Sequence, residues 1–261
     1  MGVYDIIVFN RSFNDFSNIA FRGNSYETLE AYARKVETRV DKKTRVETRT
    51  IISSPDELAA ATLKGFTVTE DMLGNYSQTT YGRTAPSRSS EETPDGLYHL
   101  HFVPKKLTRE VSAVLHIEGL NNIRSATCRL GGVAESIFLA TGKTSANTVT
   151  QEFTPSNPEF SPGSPFNGTL SCEFEIFGLN VIDNNNLHLD ALLVDGKTEF
   201  EGDCTNVKIT ENDDGTGSVT LILEASTEKV PDVKPEGGAG SGFDVDVDGW
   251  GNEINTDIPI N

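Results

Sequence analysis

Three aspartates at every second position, Asp244, Asp246 and Asp248, run into Gly249 near the end of this 261-residue chain. Oxygen ligands at that spacing, followed by glycine, are how a calcium loop of the EF-hand type begins. Such a loop needs acidic groups at its first, third and fifth positions, glycine at the sixth and a bidentate glutamate at the twelfth. Counting from Asp244, Gly249 is the sixth residue, but the twelfth is Asn255 and Glu253 falls two places early. The preceding GGAGSG (237–242) cannot form an entering helix. The EF-hand reading fails on both counts. A β-type calcium loop stays open, because alternate residues of a strand share a face. The simpler reading makes Phe243, Val245 and Val247 the buried side of an edge strand and the aspartates its wet side.

Other chemistry-bearing residues are sparse. His99 and His101 share a strand face, but two ligands without a third are too few for zinc. His116 and His188 stand alone in the sequence. No GxSxG, HExxH or phosphate loop occurs. No catalytic residue, metal site or cofactor is expected, and the chain reads as no enzyme. Cys128, Cys172 and Cys204 are odd in number, widely spaced and without a CxxC pair, so zinc is disfavoured. All three lie in apolar or alternating runs and read as buried free thiols. One disulfide stays open in an oxidising compartment.

The net charge is −17. Such a field repels phosphate backbones and anionic lipid heads, which excludes nucleic acid as a partner and argues against direct binding to membrane surfaces. No apolar run approaches a membrane span. The chain opens Met-Gly and enters a strand at once, so an export signal removed beforehand is expected.

The elements that must position these residues are mainly β. YDIIVFN (4–10) reads as a strand. Asn24 with Glu27 forms a capping box and predicts a short helix over residues 25–36. The alternation of TRVETRTII (44–52) predicts a strand. Ser54-Pro55-Asp56-Glu57 marks a second helix start, for a helix ending near Gly65. LYHLHFVP (97–104) reads as a strand stopped by Pro104. Beyond it the pattern is nearly continuous β, with strands expected over 109–120, 125–130, 148–153, 169–179, 187–194 and 218–225. In the first of these Val111, Ala113, Leu115 and Ile117 share one face. Asp195-Gly196 between apolar runs predicts a hairpin. VPDVKPEGGAGSG (230–242) has the composition of a flexible linker. The expected architecture is two β-sandwich domains, 1–107 with the two short helices and 108–261 with Greek-key connections.

Several segments, in order, carry a resemblance to a known family. They are YDIIVFN with NSYETLEAYA, then SPDELAAAT, FVPKKLTREVSAVLHIEGL, GGVAESIFLATGK and FDVDVDGWGNEINTDIPI. The chain resembles the fimbrial anchor and fimbrillin-like surface lipoproteins of Gram-negative anaerobes. The resemblance implies two transthyretin-like sandwiches, export, and residence at the outer membrane through a lipid anchor that this sequence does not show. It implies partners among fimbrial subunits or other surface proteins, and strand exchange as the means of joining them. Related pilins are trimmed at an arginine in their N-terminal region, where Arg34, Arg39 and Arg45 lie. On this reading Phe243, Val245 and Val247 enter apolar slots of a sheet, Trp250 covers the end, and the segment serves as a subunit-interface strand. The expected function is therefore fimbrium anchoring or assembly and adhesion. The alternative is a carbohydrate- or host-protein-binding surface module, which a single tryptophan disfavours.

Overall fold

The computed structural model describes residues 1–40, 48–70, 72, 100–180, 185–213 and 219–235. The expected strand over 243–249, with Phe243, Val245, Val247 and Trp250, lies outside the described residues, as does His99. What is described is mainly β. In chain order the strands are β1 (Gly2–Phe9), β2 (Ile19–Arg22), β3 (Glu30–Ala33), β4 (Lys35–Val40), β5 (Thr48–Ile52), β6 (Ala59–Val68) and β7 (Lys105–Lys106). They continue with β8 (Arg109–Ile117), β9 (Ile123–Ala134), β10 (Ser136–Phe138), β11 (Thr148–Phe153), β12 (Asn157–Phe160) and β13 (Gly168–Ile176). β14 (Leu187–Leu193), β15 (Glu199–Asp203), β16 (Thr205–Asp213) and β17 (Val219–Ser226) complete the set.

Two sheets form the main body. One has six strands in the order β15-β14-β9-β11-β5-β4, the other five in the order β12-β13-β8-β17-β16. Strict alternation decides which faces meet. On β8, Val111, Ala113, Leu115 and Ile117 are buried as expected; on β14, so are Leu187, Leu189, Ala191 and Leu193. These rows share one core with Cys128 and Leu130 of β9 and with Leu221, Leu223 and Ala225 of β17. Phe153 of β11 stacks on Phe174 of β13, centroids 4.3 Å apart, so the two sheets touch face to face as a sandwich. The three cysteines are free thiols, Cys128 buried and the others half-buried.

Two smaller sheets lie beside it, β1-β6-β7 and β10-β3-β2. Pairings cross the position where composition places a boundary. β5 runs parallel to β11, and β3 pairs with β10.

Neither of the two predicted N-terminal helices forms. After Asn24 the chain makes a single turn, in which Leu29 N donates to Ser25 O at 2.9 Å. The amides of Asn24 and Ser25 donate to Thr28 Oγ1 at 3.3 and 3.1 Å. The chain then extends into β3, because Ala31 and Ala33 alternate with Glu30 and Tyr32 and bury between β2 and β10. The second predicted helix is β6. Asp56 accepts from the backbone amide of Asn18 at 2.7 Å, so its carboxylate serves a distant strand entry rather than its own segment. The small residues Ala60 and Ala61 face Phe9 and Val8 of β1. Helix propensity is worth tenths of a kcal/mol per residue and gives way to such pairing.

Three further expectations change. Of the expected strand over 97–104, residues 97–99 lie outside the described residues and 100–104 are not a strand; pairing begins after Pro104, at Lys105–Lys106. The stretch SNPEFSPGSPFNG (156–168), whose Pro, Ser and Gly content reads as a loop, holds β12, an exposed edge strand that tolerates Pro158 because an edge leaves one side unpaired. The predicted linker begins packed rather than free: Val230 is fully buried, and its amide donates to Glu118 O at 2.9 Å.

Candidate functional site

The hairpin β14–β15 turns at Asp195-Gly196, as the dipeptide predicts. Asp195 Oδ1 accepts from the amides of Lys197 and Thr198 at 3.0 and 2.8 Å. The Thr198 hydroxyl and these amides hold its carboxyl below the ordinary value. Gly196 takes φ +69°, a conformation that favours glycine. The turn sets the register, and register sets which side chains meet on the outer face of the six-stranded sheet.

Because Leu187, Leu189 and Ala191 point into the core, His188 and Asp190 point out. Opposite them stand Asp203 and Glu201 of β15, and on the other flank Arg129 of β9 faces His188. Arg129 in turn faces Glu152 of β11. One row thus crosses four strands: Asp203, His188, Arg129, Glu152. His188 Nδ1 lies 2.9 Å from Asp203 Oδ1, and its Nε2 lies 3.1 Å from Asp190 Oδ1. Arg129 is ion-paired through Nη1 to Asp190 Oδ2 and through Nε to Glu152 Oε2, the latter at 3.1 Å. Four carboxylates therefore surround one guanidinium and one imidazole. One ligand atom from each of His188, Asp190 and Glu201 lies within 4.8 Å of the others.

Sequence reading leaves His188 alone and misses this cluster. The signal is present: His-x-Asp on one arm and Glu-x-Asp on the other, with the Asp-Gly turn between them. Counting outward from the turn brings the two pairs together. His101, by contrast, is exposed, and its predicted partner His99 is outside the described residues.

A second polar cluster ties β2 and β3 to β10 within the small sheet. Arg22 Nε and Nη2 donate to the two carboxylate oxygens of Glu30, at 2.6 and 3.0 Å. The Ser136 hydroxyl also donates to Glu30, and Arg22 reaches Glu135 at 3.3 Å. Nearby Phe9, Phe13, Phe16 and Phe21 pack ring on ring, with Phe13 half exposed. β1 pairs with β6 along one edge; among the described residues its other edge has no partner strand. Val3 and Tyr4 on β1 are exposed.

Residues 1–154 match the family model described as "Domain of unknown function (DUF5119)". That is more than half of the chain, which belongs to this family. Among solved structures the chain is similar to two crystal structures from Bacteroides ovatus, each described as a "putative adhesin". One, from ATCC 8483, shares 16% identity with a TM-score of 0.48, over 77% of this chain and 65% of that one. The other shares 8% identity with a TM-score of 0.31, over 77% of this chain and 55% of that one. This chain thus spans less than two thirds of the length of either. No curated protein matches it.

Proposed function

We propose that the chain is a non-enzymatic cell-surface protein that takes part in anchoring or assembling a fimbrium and in adhesion. The observation that carries this reading is the edge of β1 that has no partner strand among the described residues, with Val3 and Tyr4 turned to solvent. Exposed strand edges add strands from other chains, with main-chain hydrogen bonds supplying affinity and alternate side chains supplying specificity. The ordered segments that resemble fimbrial anchor and fimbrillin-like proteins support the same reading. On it the two-sheet body is a transthyretin-like sandwich. The chain is exported, held at the outer membrane by lipid, and joined to fimbrial subunits or other surface proteins.

The test replaces Tyr4 with a photo-crosslinking residue in the bacterium that makes the protein. Expected are shaving of the protein from intact cells by protease and a light-dependent adduct with a second surface protein. A chain that resists shaving until the cells are lysed overturns the surface assignment. A shaved chain that forms no adduct, yet is retained on a glycan array, points to the carbohydrate-binding alternative.

A further inference from the structure

We propose that the outer face of the β14–β15 hairpin is a binding site for one divalent transition-metal ion of the zinc class, ligated by His188, Asp190 and Glu201. Three observations carry the assignment. First, the ligand atoms of these residues already lie within 4.8 Å of one another. Zinc holds nitrogen and carboxylate ligands tetrahedrally at about 2.0–2.2 Å, so two ligand atoms on one ion stand about 3.3–3.6 Å apart. Glu201 is exposed, and rotation of its side chain can close a gap of about an ångström. Second, the imidazole is already oriented. Asp203 Oδ1 engages Nδ1 at 2.9 Å, the arrangement in which a carboxylate fixes the ring of a metal-bound histidine and leaves Nε2 as the ligand. Third, Nε2 faces Asp190 Oδ1 at 3.1 Å. That separation is close to the roughly 3.3 Å between two ligand atoms on one tetrahedral zinc, so a nitrogen and a carboxylate oxygen are already aimed at one point.

The surroundings set the class of ion. Arg129 occupies Asp190 Oδ2, which leaves Asp190 as a monodentate ligand through Oδ1. The set is then one nitrogen and two single oxygens, with outward positions left for water or for a donor from another molecule. A nitrogen ligand and so few oxygens suit zinc rather than calcium or magnesium, which seek six or more oxygens. The positive guanidinium opposes a cation, and Glu152 and Asp203 offset it from β11 and β15.

The experiment is calorimetric titration of the chelator-stripped full chain with zinc chloride, in a non-coordinating buffer with a phosphine reductant. Expected is one saturable zinc per chain, with calcium and magnesium silent. Asp203→Asn, which removes only the orienting group, should weaken binding about 10–100-fold. His188→Ala and Glu201→Gln should weaken it further, with the melting temperatures of the stripped variants unchanged. Cobalt substituted for zinc should give a visible absorption band that Asp203→Asn alters. No saturable heat up to about 1 mM zinc, a free energy of about −4 kcal/mol, overturns the proposal. So does binding that persists in His188→Ala, which would place the ion on the thiols or another histidine.

Discussion

Glu30 is a carboxylate taken almost wholly out of water, 7% exposed, and the two-pronged contact from Arg22 makes that tolerable. The Arg22 contact, followed by Ser136, holds its pKa below the ordinary value of 4.5 in spite of burial. A depressed carboxylate contributes stability that is complete above the unfolded-state value and is lost as pH falls through the folded-state value. Glu30→Gln should therefore cost about 1–3 kcal/mol at neutral pH, toward the lower end because Arg22 stays 43% exposed. The gap to wild type should narrow as pH drops below 4.5. Urea melts at neutral pH and at acid pH check both statements. The thiols make a second case. Burial pushes Cys128 well up and Cys172 and Cys204 to about 11, so all three are protonated at neutral pH. Since the thiolate is the reactive form, an alkylating reagent should label none of them rapidly in the folded chain and all of them in denaturant. Mass spectrometry with time checks it.

At the scale of the element, the turn before β3 depends on Gly23. It takes φ +98°, and a Cβ there would stand 2.0 Å from the backbone oxygen of Thr28. Gly23→Ala should cost at least about 1–2 kcal/mol from the left-handed conformation alone. The backbone clash adds to that, and a thermal melt would show the loss. This turn also explains why the N-terminal third was hard to read. The predicted cap pair does not form: Thr28 Oγ1 accepts from the amides of Asn24 and Ser25, Glu27 pairs with Lys64, and a single turn is closed. What decides the outcome is a partner strand, β10, more than a hundred residues away, and no local pattern reports it. In the sandwich strands the opposite holds. Val111, Ala113, Leu115 and Ile117 are buried on one side by their own neighbours' alternation, so the period of two was enough. The His188 cluster falls between these cases. Each arm was legible as a strand and the turn was legible as Asp-Gly, yet the site appears only when the two are put in register. β16 was missed because its outward residues are polar along nearly the whole strand and its inward ones, Val207 and Ile209, are only half buried.

At the scale of the whole molecule, the stack of Phe153 on Phe174 joins the two large sheets across their core. Phe174→Ala should cost about 3–5 kcal/mol, as for other buried aromatics. A double-mutant cycle with Phe153→Ala should return a coupling of about 0.5–1.5 kcal/mol beyond the area buried. Equilibrium unfolding of the four proteins measures both. The parallel pairings have a different consequence, which concerns time. β5 lies against β11, and β8 lies against β17, so each earlier strand waits for one made about a hundred residues later. During synthesis the leading segments emerge with hydrogen-bonding edges that nothing yet satisfies. A chain whose sheets close through its latest strands completes its folding only after nearly all of it has been delivered, and until then those edges must be kept from pairing with the wrong neighbour.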